Sequence, residues 1–116
     1  MYAVNKTQAA ILELPKRTVQ VFVGGEAYKS EEMTMGKTVV APHTNMDPHV
    51  HENEEEIVFV IKGSGEAIVG GIAEKMEPDT AVVFPKGVEH TVHNTGDTEL
   101  EFVFMFHPAY DFGGRI

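Results

Sequence analysis

The sequence predicts an all-β fold in a single domain, and three observations carry that expectation. Apolar residues recur in short runs, several of them alternating, rather than at helical spacing over longer stretches. Turn formers (Gly24-Gly25, Pro42, Gly63, Gly70-Gly71, Pro78-Asp79, Pro85, Gly96) punctuate these runs at intervals of about 8–12 residues, the spacing of β-sandwiches and barrels. A chain of 116 residues holds one hydrophobic core and little more.

In chain order, residues 18–23 (TVQVFV) alternate around Val19, Val21 and Val23 and stop at Gly24-Gly25. Residues 37–41 are rich in β-branched side chains and end at Pro42. Residues 56–61 (EIVFVI) form a nearly continuous apolar run, the pattern expected of a strand buried on both faces. Gly63 and Gly65 interrupt it, residues 66–69 follow, and Gly70-Gly71 reads as a tight hairpin turn into residues 72–76. After the turn at Pro78-Asp79 come a strand at 81–84, a break at Pro85 and Gly87, and a strand at 90–94. The last run, 100–106 (LEFVFMF), places Leu100, Phe102, Phe104 and Phe106 on one face. Only the first dozen residues have room for a helix, which Pro15 would end. Residues 1–116 therefore read as one domain: an amino-terminal arm (1–17), a barrel (18–107) and a carboxy-terminal tail (108–116).

Composition narrows the function. The chain is 42% hydrophobic and 23% charged, an ordinary globular balance. It has no apolar stretch near the roughly 20 residues that span a bilayer, and no secretion-signal pattern at its start, so the cytoplasm is the expected compartment. With no cysteine, disulfides and thiolate-bound zinc are excluded, and any metal site must be built from His, Asp and Glu. A net charge of −9 disfavours nucleic acid and anionic membranes as partners, since both need a cationic face.

Six histidines stand at positions 43, 49, 51, 90, 93 and 107. His49 and His51 are two apart, so on a strand both imidazoles project to the same side and can reach one ion. The acidic run Glu54-Glu55-Glu56 follows directly. Strand parity puts Glu55 on the face of His51, whereas Glu56 joins that face only if the polar stretch before it bends or bulges. Parity leaves both open.

The run His49-x-His51-x4-Glu56-x6-Gly63 resembles the first motif of the cupin superfamily, and Pro85-x-Gly87-x2-His90-x3-Asn94 resembles the second. The resemblance implies a jelly-roll barrel (a double-stranded β-helix) with one divalent transition metal held by His49, His51, Glu56 and His90. It favours Glu56 over Glu55, because the family spacing runs from that glutamate to Gly63. Two positions depart from the pattern: His43 and Asp79 stand where the family usually has glycine at a turn.

Three neutral imidazoles and a carboxylate suit Mn, Fe, Co, Ni, Cu or Zn better than Ca or Mg. Parity and resemblance together place Thr38, Val40, Met46, Phe102 and Phe104 around the ion, a mostly apolar pocket for a small neutral or aromatic molecule. Apolar walls around an open redox metal put an oxygenase (dioxygenase) first. A lyase, isomerase or decarboxylase using the metal as Lewis acid is the rival, and a non-catalytic binding module the third reading. Besides Glu56, only His43 offers acid–base chemistry. His93, an odd step from His90, points away, and His107 belongs to the rim. Edges left by an apolar amino-terminal strand and an aromatic last strand would be covered in a two-fold homodimer.

Overall fold

Alternation decides which side of most strands is buried in the computed structural model, which describes residues 2–116. Ten strands form: β1 (Ala10–Leu14), β2 (Arg17–Val23), β3 (Thr34–Val40), β4 (Thr44–Asn45), β5 (Glu55–Lys62), β6 (Gly65–Val69), β7 (Ile72–Met76), β8 (Ala81–Phe84), β9 (His90–Asn94) and β10 (Leu100–His107). They build a six-stranded sheet in the order β1-β2-β3-β10-β5-β8 and a four-stranded sheet in the order β4-β9-β6-β7. Every pairing is antiparallel. The inner faces of the two sheets share one core, in which Val19, Val58, Phe104 and Leu100 from the larger meet Ala67, Met76 and Val92 from the smaller. This is the all-β architecture expected from the sequence.

The turns follow the residues placed in them. Gly70 and Gly71 have φ of 55° and 82°, and Val69 pairs with Ile72 across them, the two-residue hairpin that such a pair permits. Gly63 is required by close approach as well as by its φ of 82°: a Cβ there would stand 2.2 Å from the Glu99 carbonyl oxygen. His43 and Asp79, the two departures from the motif pattern, both adopt left-handed backbone, with φ of 53° and 67°. The conformation is retained although the glycine is not, and Asp is among the side chains that tolerate it best.

Three expectations are corrected. Among the described residues the amino-terminal segment holds no helix; residues 10–14, read as part of an arm, form an edge strand that pairs with β2 through Pro15-Lys16. Pro15 initiates a turn there, completed by Lys16 at φ 69°. Strand β5 is buried on one face only: Val58 and Val60 face the core, while Phe59 and Ile61 are 37% and 47% exposed. A sheet in a two-layer sandwich has one inner face, so a continuous apolar run there leaves half its side chains outside. Strand β10 is not an edge but lies between β3 and β5. Pairing on both sides explains its long apolar run.

Asn94 closes the inner end of the smaller sheet. Its side chain is fully buried and its Nδ2 donates to the carbonyls of Val40 (3.0 Å), Ala41 (3.0 Å) and Thr98 (2.9 Å). Its Oδ1 accepts from the Gly96 amide at 3.0 Å. One amide thus satisfies backbone groups from two loops. Asn94→Ala strips those groups of their partner and is expected to destabilise the fold by about 3 kcal/mol or more. Asn94→Asp, which replaces the donor with acceptor oxygens facing carbonyls, should be no better. Urea denaturation of the two variants against the parent measures both losses.

Candidate metal centre

The site is assembled by backbone pairing before any side chain meets. His49, outside the named strands, makes an isolated antiparallel bridge with His90 at the start of β9. Its amide donates to the His90 carbonyl at 3.0 Å and the His90 amide donates back at 2.9 Å. The Gly87 amide donates to the His51 carbonyl at 2.9 Å, so both halves of the histidine pair are tied to the segment that carries His90. Residues 52 and 53 form a bend before β5 begins. That bend turns Glu56 inward and leaves Glu55 exposed, resolving the parity question as the motif spacing implied.

His49, His51, Glu56 and His90 each offer a ligand atom, and these atoms lie within 4.8 Å of one another. The imidazole orientations are fixed from behind. His49 Nδ1–H donates to the Asp47 carbonyl at 3.0 Å and His90 Nδ1–H to the Val88 carbonyl at 3.1 Å, which leaves each Nε2 lone pair aimed at the centre. Phe84 stacks on His90 with ring centroids 4.2 Å apart and planes 3° from parallel. Phe106 and Tyr110 meet the His51 ring edge-on at 5.0 and 4.7 Å.

The donor set fits a metal ion. His51 Nε2 and His90 Nε2 each lie 3.6 Å from Glu56 Oε1, too far for a hydrogen bond. Donors bound to one ion at about 2.1 Å lie roughly 3.0–3.4 Å apart, close to this separation. Among the described residues His90 Nε2 is buried with no hydrogen-bond partner, a costly arrangement that a cation resolves. Burial shifts three of the four groups, His49, His51 and Glu56, toward their neutral forms. His51 is lowered to about 4 and His49 is lowered as well, both chiefly by loss of solvent. Glu56 is raised by its burial, against the opposing pull of the facing His90. His49 and His51 are therefore neutral, ready-made ligands at neutral pH.

Above these four side chains opens a cavity of about 170 Å³. Thr38, Met46, Phe102 and Phe104 line it. Val40 does not: it is fully buried at the far end of β3, opposite Leu100 and beneath Asn94. Parity gives the correct face but not the depth along the strand. The sequence reading missed Arg17, Phe84, Phe106, Tyr110 and Phe112, which also line the cavity. Arg17 shares the inward parity of Val19 and Val21, a signal present in the sequence. Tyr110 and Phe112 arrive because the tail folds back. The Tyr110 amide donates to Thr34 Oγ1 at 2.8 Å, and that hydroxyl donates to the Tyr110 carbonyl at 2.9 Å.

The remaining histidines lie elsewhere. Exposed His43 pairs through Nε2 with Asp97 Oδ1 at 2.6 Å, so it takes no part in the cavity. His93 is half-buried on β9, opposite Asn45 and Glu66. His107, exposed at the end of β10, donates from Nδ1 to the Glu32 carbonyl at 2.8 Å.

Because His49 and His51 hold their protons less tightly when folded than when unfolded, acid favours unfolding of the metal-free protein. The stability they support is complete above about pH 6.5 and is lost as pH falls toward about 4. Glu56, with its raised pKa, acts in the opposite sense. His51→Gln should therefore flatten the fall of the metal-free urea midpoint between pH 6.5 and 4, as chemical denaturation across that range will show.

Comparison with known proteins agrees with this construction. A family model described as the cupin domain matches residues 36–106. Protein SchB of Streptomyces halstedii is 34% identical over 74 residues, 64% of this chain and 54% of that protein. The H2HPP isomerase of Bacillus subtilis is 37% identical over 62 residues, 53% of this chain and 26% of the isomerase. The chain thus spans about half the length of the first relative and a quarter of the second. KdgF from Halomonas sp. superposes with a TM-score of 0.81 over 97% of this chain and 98% of its own, at 16% identity, a likeness of fold alone. With most of its length matched by that family model, and both motif segments meeting at one cluster of donors, this chain belongs to the cupin domain family.

Proposed function

We propose that the protein is a metal-dependent enzyme acting on a small organic molecule by non-oxidative chemistry, of the isomerase or lyase type. One divalent transition metal would be held by His49, His51, Glu56 and His90. The observation that supports this reading is the convergence of four buried or half-buried donors at the base of a cavity that also carries a guanidinium and a phenol. When bound, such an ion supplies Lewis acidity toward a carbonyl or hydroxyl oxygen.

The chain's own residues supply the rest. Burial raises the Tyr110 pKa, so its phenol keeps its proton at neutral pH and offers an O–H where negative charge develops on an oxygen. Phe84, Phe102, Phe104 and Phe106 exclude water and hold the apolar body of a ligand. Glu56 serves as ligand rather than base. The similarity to an isomerase supports the same class of reaction. Oxygenase chemistry is the second reading, favoured by the aromatic walls, but Arg17 and Tyr110 make the cavity more polar than the sequence suggested.

Two experiments test this. Protein loaded with Zn2+ or Mn2+ under argon should catalyse exchange of carbon-bound hydrogen with deuterium oxide in a panel of small enolisable ketones and keto acids, read by NMR. Glu56→Ala should abolish the exchange and lower metal affinity about 100-fold or more. Turnover that requires both Fe2+ and O2 would replace this reading with the oxygenase.

Self-association as a two-fold homodimer belongs to the same proposal. The outer side of the larger sheet exposes Phe59, Ile61 and Val83 together on β5 and β8, and Ile11 on the β1 edge. Sedimentation is expected to give twice the chain mass at micromolar concentration, with Phe59→Lys shifting the equilibrium toward monomer. A monomer mass for the parent protein would overturn it.

A further inference from the structure

Arg17 opens β2 and stands in the wall of the metal-site cavity. It is half-buried, and the loss of solvent lowers its pKa, so its charge is held at a cost. One guanidinium N–H donates to the Pro15 carbonyl at 3.2 Å. Among the described residues no carboxylate oxygen lies within 4.0 Å of its nitrogens. Asp47 pairs instead with Lys16 at 2.9 Å, and Glu56 faces His51 and His90. In a chain with eighteen acidic residues, a surface arginine has many partners available. Among the described residues this one has none within 4.0 Å, only the longer-range attraction of Glu56 and Asp47, and it lines the cavity.

We infer that the cavity selects a small organic carboxylate, its anionic group held by the Arg17 guanidinium and its body by the aromatic walls. The inference rests on the reading that a divalent ion occupies the donor cluster. Such an ion, with Glu56 coordinated, keeps one net positive charge, and Arg17 adds a second on the same cavity. A neutral ligand would leave both uncompensated in a partly desolvated space. A carboxylate neutralises one and matches the planar fork of the other with two parallel hydrogen bonds. At about 170 Å³ the cavity is below the roughly 300–1,000 Å³ of drug-sized sites, which suits a compact acid. This revises the neutral or aromatic ligand expected from the sequence, which overlooked Arg17.

The test is a calorimetric titration of Mn2+-loaded protein with benzoate, with its neutral analogue benzamide, and with inorganic phosphate. Benzoate should bind at least tenfold more tightly than benzamide and more tightly than phosphate. Arg17→Gln should erase most of the benzoate preference while binding Mn2+ as tightly as the parent. Arg17→Lys, which keeps the charge but not the fork, should fall between them. Equal affinity for benzoate and benzamide in the parent, tighter binding of phosphate, or an undiminished preference in Arg17→Gln would each overturn the inference. Uptake of Mn2+ is measured separately. If the parent takes up none, the metal reading fails, and the benzoate preference and its loss in Arg17→Gln are then read on the metal-free protein, where they still decide the role of Arg17.

Discussion

Two backbone hydrogen bonds between His49 and His90 hold the site together, because they join positions 41 residues apart in the chain before the side chains take part. Strand β9, which begins at His90, is anchored on its other side by β6 and at its far end by the buried amide of Asn94. The same bridge lets His49 present its ring without belonging to a long strand. Each imidazole is then steered by a carbonyl two residues behind it, Asp47 for His49 and Val88 for His90. The geometry of the donors is thus a consequence of main-chain pairing, which is stiffer than any arrangement of side chains alone.

Most strands were legible because antiparallel sandwiches write their inner face into every second residue, and β10 is the clearest example. What the residues could not convey was the number of covered faces: EIVFVI looks the same whether one side or both is packed, and only the two-layer architecture exposes Phe59 and Ile61. Strand β1 was hidden for another reason. Pro15 is as good a turn initiator as a helix terminator, and pairing with β2 decides between them. At the site, the four donors were readable because the resemblance fixed their spacing, and the bend at 52–53 resolved an ambiguity that parity leaves open. Tyr110 and Phe112 could not be found that way. They reach the cavity through the Thr34–Tyr110 hydrogen bonds, which join positions 76 apart.

His43 and Asp79 show how far a motif can drift while its geometry persists. Both keep the left-handed backbone that glycine adopts freely. A non-glycine residue there carries a modest conformational cost, and His43 has a local contact to set against it, its 2.6 Å pairing with Asp97 across the neighbouring turn. The histidine that looked like a spare catalytic group in the sequence is better understood as part of a surface turn.

Burial acts on His49, His51 and Glu56 in one direction, toward the uncharged state, and this shapes what the site can accept. A water molecule in their midst could donate to some of the inward-facing lone pairs, yet it would leave the desolvated Glu56 carboxylate without a counter-charge. A proton shared by Glu56 and an imidazole would satisfy two donors and leave the others facing one another. A divalent cation engages three nitrogens and the carboxylate together, and it turns the desolvation that disfavours each free ligand into a stronger attraction for the ion. Metal binding and folding stability are then linked through the same side chains. The acidic outer surface adds a second consequence. With a net charge of −9, the molecule as a whole repels anions, so the attraction for an anionic ligand would come from the local charge of Arg17 in the cavity wall. Discrimination would therefore rest on contacts inside the cavity rather than on long-range steering.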